Sequence, residues 1–498
     1  MEAASPRPRM RIGFVFLGVA LIELALLPPG NYSVDGASML ATADSLLAGQ
    51  NSHVPCNLGV VGRGGECFSE WYPLLSLVAI PFLVVGRVLG SLSGLPTVEV
   101  GHVVAMAVPA LAVAGAAALT ADIAMRVGAT ARGAVAAAVA FAFGTETLTY
   151  GRTLYAETLA AFLVALAFWG LIQPGRRRWI GLAAIVLAVL AKPQMVVIGP
   201  ALGLFLAIRE SNWRRALGPL AATFVGGLLC LAYNWFRFND ARDFGRGLNG
   251  SYAPRQVVEG IGELLISPGR GLLWFSPVMV LGAVALWRYR HHALAKVCLA
   301  PLVALLLVYS AAPGSGYEWS TRYLVPALPL VAVGVAFVAT RRAALVAALI
   351  LVGLVVQLPT TVTYYERYFT EQRLQGTTAP EIPWSVAHSP VHGTWPTAVR
   401  QVSDAQEADV QRLVTTSGDV SGDDVDSQER FHVVALWWWM LPAAHLPRWL
   451  GAVLSLIAIG AGSVILARAA RSRHVRPHLL KASSTASAKA AMEEHSRA

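Results

Sequence analysis

Residues 72–90, YPLLSLVAIPFLVVGRVLG, decide how often this chain crosses a membrane. The segment is apolar over nearly the ~20 residues that a span requires, yet it contains Pro73 and Pro81. If it is counted as a span, every later arginine cluster lies on the membrane side opposite the basic N-terminus. If it is left out, those clusters share the N-terminal side, as the positive-inside rule requires. We therefore predict that residues 73–90 form a helix that lies at the outer membrane surface or dips into it.

The rest of the chain has the composition of an all-α polytopic membrane protein. Of its 498 residues 55% are hydrophobic and only 14% are charged, whereas an average soluble protein has about 25% charged residues. We expect about twelve transmembrane helices and two cytoplasmic termini. The predicted spans are 12–30, 98–125, 132–149, 152–172, 179–191, 193–209, 215–236, 272–287, 296–312, 322–339, 343–360 and 449–467.

This topology divides the chain into four parts. Residues 1–360 form a transmembrane module, and its first extracytoplasmic loop, 31–97, carries the juxtamembrane helix. Residues 361–448 form an extracytoplasmic loop or small lobe, 449–470 the last transmembrane helix, and 471–498 a disordered cytoplasmic tail. The net charge of +10 comes from basic clusters between apolar segments, so it indicates topology in the plasma membrane and no nucleic-acid partner.

Charged side chains collect at the predicted outer ends of the spans. A phosphate bound at the outer leaflet would explain the basic ones, because Arg and Lys pair with phosphate oxygens. A carboxylate there could deprotonate an acceptor hydroxyl while the cations stabilise a departing phosphate. This pattern favours sugar transfer from a lipid-linked phosphate. The residues concerned are Asp35, Glu70, Arg152, Glu157, Lys192, Arg270, Glu318 and Arg322.

Structural interpretations compete for several of these residues. Asp35 stands before Gly36, a pair that is common in turns, and Asp44 is expected to be a solvated helix residue. Glu70 could equally cap a helix. Lys192 could extend its ammonium group from a turn towards the membrane surface.

Two further groups of residues have structural alternatives. Arg152 lies close enough in sequence to Glu146 and Glu157 to form structural ion pairs with either. Trp384 and residues 437–439 are expected to form part of an interfacial aromatic belt.

The motifs of this chain resemble those of the GT-C glycosyltransferases, which include the protein O-mannosyltransferases and the aminoarabinose transferase of lipid A. Members carry an acidic residue just after the first span and a Lys/Glu-Tyr-Pro-Pro-like motif that opens a juxtamembrane helix. The likeness covers about 70% of the chain. Its motifs are VDGASML (34–40), EWYPLLSLVAIPFLVVGRVLG (70–90), YGRTLYAETLAAFLVALAFWGL (150–171), AKPQMVVIGPAL (191–202), SPGRGLLWFSP (267–277) and YEWSTRYLVPALPL (317–330).

The resemblance implies a polyprenyl-phosphate-sugar donor, inversion at the anomeric carbon and a base at Asp35. No cofactor is implied, and a divalent cation is possible but not indicated. Asp35 and Glu70 are thus the catalytic candidates. The candidates for substrate binding are Tyr72, Arg152, Glu157, Lys192, Arg270, Glu318 and Arg322.

The chain also departs from the family pattern. Gly36 follows Asp35 where the mannosyltransferases have an Asp-Glu pair, and the second proline of the juxtamembrane motif is replaced by Leu74. The acceptor, which could be a glycan, a glycolipid or a protein, therefore stays open. The composition suits a high-GC actinobacterium, where such enzymes add mannose or arabinose to the cell envelope.

Two other functions remain open. A lipid or glycan transporter or flippase would need charged groups in mid-span, where this chain has few. A non-catalytic envelope-assembly protein would use residues 361–448 for docking.

Cys56 and Cys67 share one polar loop and could form a disulfide in an oxidising compartment. The histidines lack metal-ligand spacing, so no metal site is expected.

Overall fold

The computed structural model describes residues 12–173, 175–245, 257–289, 293–311, 317–405, 425 and 429–471. The predicted tail, apart from Arg471, and most of the acidic part of residues 361–448 lie outside these ranges. The first half of the chain contains α1 (Ile12–Ala25), α2 (Val34–Leu47), α3 (Pro73–Ser93), α4 (Thr97–Ala105), α5 (Ala107–Arg126), α6 (Ala131–Phe143), α7 (Thr147–Tyr150), α8 (Ala156–Leu171), α9 (Arg177–Ala191), α10 (Ile198–Arg209) and α11 (Arg214–Phe238).

The second half continues the helical fold. It contains α12 (Val257–Ile266), α13 (Leu272–Phe275), α14 (Pro277–Arg288), α15 (Ala293–Ser310), α16 (Leu328–Ala339), α17 (Ala343–Gln357), α18 (Tyr365–Leu374), α19 (Pro390–Ser403) and α20 (Arg448–Ala470). Short 3-10 helices precede or extend several of these, at Pro193–Val197, Arg322–Ala327, Leu358–Thr361 and Trp437–Ala444. Each predicted span lies mostly in helical backbone, so the predicted helical fold is confirmed.

Six helical segments in the described ranges are long and apolar enough to cross a membrane. They are Pro73–Ser93, Thr97–Arg126, Arg214–Phe238, Arg322–Ala339, Ala343–Thr361 and Arg448–Ala470. The total of twelve spans stays a prediction. So does the surface position of α3, because length and composition alone would also allow α3 to cross.

Small residues set the close packing of these helices. Helix α3 packs antiparallel to α4, and a Cβ added at Gly86 would lie 2.6 Å from the Gly101 Cα atom. Helices α8 and α9 approach as closely, because a Cβ added at Gly170 of α8 would lie 2.6 Å from the Gly181 Cα atom of α9. The central helix α5 is alanine-rich and largely buried. Small residues let helix backbones approach closely within a membrane, where apolar burial alone does not drive association.

The first loop and the segment after α17 form the polar part of the molecule. In the first loop, strands β1 (Val60–Val61) and β2 (Cys67–Phe68) pair antiparallel beyond α2. After α17, helices α18 and α19 pack around Arg367, which donates to Gln401 at 3.1 Å and to the Phe431 carbonyl at 2.7 Å. We call the described part of residues 361–436 the lobe.

Candidate active site

Asp35 lies in the first turn of α2 and not in an isolated turn. The Ser33 hydroxyl caps this helix by accepting from the Gly36 N–H at 3.0 Å. A Cβ at Gly36 would lie 2.1 Å from the Asn31 side-chain oxygen and 2.7 Å from the capping Ser33 Oγ, so a larger residue here would push both side chains out of the cap. The positive end of the helix dipole favours a carboxylate at this position.

Arg322 brings three carboxylates together at the start of the 3-10 helix Arg322–Ala327. Its Nη1 lies 3.3 Å from Asp35 Oδ2, its Nη2 lies 3.4 Å from Glu318 Oε1, and its Nε lies 3.7 Å from Glu157 Oε1. The Arg322 side chain is 11% exposed. One buried guanidinium therefore connects the first loop, α8 and the segment before α16.

Lys192 ends α9 and joins the same group. Its ammonium donates to Glu157 Oε1 at 2.6 Å and lies 4.7 Å from the centre of the Tyr323 ring. Tyr309 stacks on Tyr323 with ring centroids 4.5 Å apart. Burial lowers the pKa of Lys192, while the Glu157 carboxylate opposes that shift.

Arg270 approaches from the loop between α12 and α13. Its side chain is 1% exposed and pairs with Glu263 Oε1 and Glu318 Oε2, each at 2.6 Å. Tyr323 donates to the other Glu318 oxygen at 2.5 Å. Burial would raise the pKa of Glu318, but Arg322 and Arg270 outweigh it and hold that pKa below its ordinary value. Glu318 is therefore an anion between two arginines.

These residues form one network that we call the charge cluster. Its described members are three cations and four carboxylates, so these seven side chains carry one excess negative charge when ionised. The Nε donors of Arg270 and Arg322 are buried and make no hydrogen bond within the described ranges, which leaves each guanidinium a donor for a further oxygen. The members are Asp35, Glu157, Lys192, Glu263, Arg270, Glu318 and Arg322.

Glu70 and Tyr72 lie in a second group around Arg237. The Tyr72 hydroxyl donates to Asn234 Oδ1 at 3.0 Å, and the Arg237 guanidinium lies 5.2 Å from the Tyr72 ring centre. Glu70 packs beside Gly245, in the loop after α11. The structure thus gives Tyr72 a role in fastening the start of α3 to α11.

Arg152 is a structural residue and not part of the charge cluster. Its guanidinium donates to the backbone carbonyls of Leu26, Thr360 and Ala435. Arg152 does not form the ion pair with Glu157 that the sequence left open, because Glu157 pairs with Lys192 instead. Arg152 therefore ties the end of α1 to the lobe.

Glu146, the other carboxylate considered for Arg152, is also engaged elsewhere. It accepts from the hydroxyls of Ser276 and Thr321. These contacts join the α6–α7 connection to the start of α14 and to the segment that carries Arg322.

Asp44 is also engaged, contrary to the expectation of a solvated residue. Its two oxygens lie 2.5 Å from Arg87 Nη2 and 2.6 Å from His102 Nε2. It therefore holds together α2, α3 and α4, and so positions the helix that carries Asp35.

A small recess beside the start of α2 contains groups that the sequence did not indicate. Its cavity of about 20 Å³ is lined partly by Tyr32, Tyr364, Tyr365 and Glu366. Burial raises the pKa of Glu366, and the nearby Asp35 adds to that rise while Arg430 opposes it. No local pattern announces Glu366, because it is more than 300 residues from Asp35 in the chain.

Cys56 and Cys67 are joined by a disulfide that closes the β1–β2 region. Within the described ranges, no group of three or more His, Cys, Asp or Glu residues is arranged to hold a metal ion.

No family model matches this chain. No curated protein matches it by sequence.

Several solved membrane proteins resemble the chain in structure. ArnT from Cupriavidus metallidurans, solved with undecaprenyl phosphate, is 16% identical with a TM-score of 0.49, over 91% of this chain and 77% of ArnT. The oligosaccharyltransferase AglB from Archaeoglobus fulgidus, solved with an inhibitory peptide and a dolichol-phosphate, is 13% identical with a TM-score of 0.45, over 82% of this chain and 58% of AglB. The arabinosyltransferase EmbB from Mycobacterium smegmatis is 12% identical with a TM-score of 0.38, over 93% of this chain and 40% of EmbB.

All three are GT-C membrane glycosyltransferases, the superfamily that the sequence motifs resemble. At TM-scores below 0.5 the likeness assigns no function, so the function proposed below rests on the residues of this chain.

Proposed function

We propose that this protein is an inverting glycosyltransferase of the plasma membrane. It moves a mannose- or arabinose-type sugar from a polyprenyl-phosphate donor to a hydroxyl of a cell-envelope glycan, glycolipid or protein. The reaction takes place on the extracytoplasmic face, and both termini are cytoplasmic. The observation that supports this proposal most directly is the 3.3 Å approach of Asp35 to Arg322 within the charge cluster.

The donor phosphate binds at Arg322 and Lys192 in this proposal. Arg322 holds its three carboxylates at 3.3 to 3.7 Å, longer than an ordinary charge-assisted hydrogen bond. A phosphate oxygen at normal distance would therefore compete well for this guanidinium. Arg270 is more tightly held by its two carboxylates, at 2.6 Å each, and offers its free Nε donor.

Phosphate binding would also prepare the base. When the phosphate takes the Arg322 guanidinium, the contact between Asp35 and Arg322 weakens, and the Asp35 carboxylate becomes a better acceptor for the proton of the acceptor hydroxyl. The hydroxyl oxygen then attacks the anomeric carbon from the face opposite the phosphate. The carbon–oxygen bond to phosphate breaks, its electron pair leaves with the phosphate, and Arg322 and Lys192 stabilise that charge.

The test uses Asp35→Asn, which keeps the size of the side chain and removes its basicity. The purified variant is reconstituted with polyprenyl-phosphate mannose or polyprenyl-phosphate arabinose and with envelope glycans as acceptor. Loss of a general base should lower transfer by about 10²–10⁴-fold, while thermal unfolding stays close to that of the wild type.

Glu66→Gln is the matched control, because Glu66 is a 59% exposed carboxylate in the same loop. It should transfer sugar at the wild-type rate. Wild-type transfer by Asp35→Asn would show that Asp35 is not the base.

A further inference from the structure

Helix α19 of the lobe has its polarity inverted relative to an ordinary surface helix. Gln401 is completely buried, whereas Trp395, Val399 and Val402 are 40%, 67% and 51% exposed. These three apolar residues are spaced i, i+4 and i+7, so they form a single stripe along one side of the helix. A soluble lobe would be expected to turn this stripe inward.

The buried side of α19 explains why the helix cannot rotate. Gln401 donates to the Val433 carbonyl at 2.6 Å and to the Arg430 carbonyl at 3.0 Å. Thr397 donates to Glu371 Oε2 at 2.7 Å. Turning the stripe inward would break these buried hydrogen bonds, each of which costs about 1–3 kcal/mol when a partner is left unsatisfied.

Two more exposed apolar residues, Val386 and Trp384, precede α19 in the chain and lie between this helix and α12. His392 of α19 lies 2.7 Å from the carbonyl of Val386, which is 69% exposed. The nearby Trp384, 47% exposed, covers Gly262 of α12.

The surface then reaches the outer end of a predicted span. Ile266 ends α12 and is exposed, and its carbonyl accepts from the Trp274 indole N–H at 2.9 Å. Trp274 and Leu273, also exposed, lie just before α14. Tryptophan is enriched where membrane proteins meet the headgroup region, so this end of the patch lies where a bilayer surface is expected.

We propose that the stripe of α19, together with Trp384 and Val386, lies in the outer leaflet of the bilayer and anchors the lobe on lipid beside the charge cluster. The chain that follows α19 is a poor alternative cover. Residues 403–430 read SDAQEADVQRLVTTSGDVSGDDVDSQER, which is rich in acidic and small polar residues. Burying such residues on an apolar stripe would cost free energy.

The anchored segment also holds the loop that carries Arg270. The Gly269 N–H donates to the Pro383 carbonyl at 2.9 Å, and the Ser389 hydroxyl donates to the Pro268 carbonyl at 2.6 Å. A Cβ at Gly269 would lie 2.1 Å from the Ile382 carbonyl oxygen. Lipid contact by the lobe would therefore fix the position of this loop relative to the membrane surface.

The test places an environment-sensitive NBD label at Val399→Cys or, in a second variant, at Val402→Cys. Gln375→Cys, an exposed polar position at the end of α18, is the control. The native cysteines do not compete, because Cys230 and Cys298 are buried and the other two form a disulfide. The full-length variants are reconstituted in phosphatidylcholine nanodiscs, with doxyl-labelled phosphatidylcholine or aqueous iodide as quencher.

Labels at positions 399 and 402 should lose fluorescence to the spin-labelled lipid and be protected from iodide, whereas the label at 375 should show the reverse. Iodide quenching at 399 and 402 equal to that at 375 would overturn the proposal. Protection from iodide without quenching by lipid would also overturn it, because protein and not lipid would then cover the stripe.

Discussion

Lys192→Met removes the ammonium charge of the charge cluster while it keeps a side chain of similar length. Lys192 and Glu157 pair at 2.6 Å, with side chains only 10% and 5% exposed. Without the lysine, the cation that remains paired with the Glu157 carboxylate among the described residues is Arg322, whose Nε is 3.7 Å away. The change therefore leaves a buried carboxylate without a close partner.

The expected loss follows from that burial. Removing one partner of a buried ion pair costs about 3–5 kcal/mol, whereas removing both charges is often close to neutral. With an unfolding entropy of about 2.1 cal/mol/K per residue, a chain of 498 residues loses about 1 °C of Tm per kcal/mol. Lys192→Met should thus lower Tm by about 3–5 °C, and the double variant Glu157→Gln/Lys192→Met should recover most of that loss.

The coupling between Glu157 and Lys192 is measured by thermal unfolding in one detergent. The proteins compared are Lys192→Met, Glu157→Gln, the double variant and the wild type. Equal and additive losses in the double variant would refute the reasoning, because the two side chains would then act independently. The same proteins report on function: if Lys192 binds donor phosphate, the double variant regains Tm but keeps a raised KM for the donor.

Three further predictions concern positions outside that pair. Arg152→Met removes charge-assisted hydrogen bonds worth about 1.5–3 kcal/mol each, so it should strongly reduce the yield of monodisperse protein in size-exclusion chromatography; wild-type yield would contradict the tie that it makes to the lobe. Gly36→Ala forces a Cβ towards Asn31 and the capping Ser33 and should lower both Tm and sugar transfer, whereas Gly227→Ala, at a helical position with nothing within 4 Å of the added Cβ, should spare both. Burial would raise the pKa of Glu371, but hydrogen bonds, of which that from Arg400 is the largest, hold it below its ordinary value. The ionised Glu371 therefore stabilises the folded lobe above the unfolded pKa of about 4.3, and this contribution is lost as pH falls through the folded pKa. Protease cleavage of the lobe should thus rise at acid pH in the wild type and rise less in Glu371→Gln.

The sequence predicted the helical elements well because long apolar segments can form little else in a membrane. It also singled out six residues that the structure gathers in the charge cluster, with Asp35 and Arg322 at 3.3 Å as the central pair. The reason is that charged residues are rare in this chain and recur at the ends of apolar segments. The membrane topology predicts that these charged residues share one side of the membrane, but it does not predict which of them pair with each other.

The pairings themselves could not be predicted, because they depend on contacts between distant segments. Arg152 lies five residues from Glu157, and the sequence leaves an ion pair between them open, yet its guanidinium donates to carbonyls up to 283 residues away. Asp44 looks like a solvated helix residue until α3 and α4 bring Arg87 and His102 to it. Glu263 gave no signal, since its role depends on the loop that turns Arg270 back toward α12.

The excess carboxylate of the charge cluster has a consequence for selectivity. A small soluble anion such as inorganic phosphate meets a group whose cations are already neutralised and whose net charge repels it. A phosphate oxygen must then displace a carboxylate from Arg322, so a dilute soluble anion rarely occupies the cluster. A phosphate that carries a long polyprenyl chain is anchored in the bilayer, which presents its headgroup at the membrane surface at a high effective concentration. If the cluster binds the donor phosphate as proposed, it should discriminate against soluble phosphates and favour those presented by the membrane.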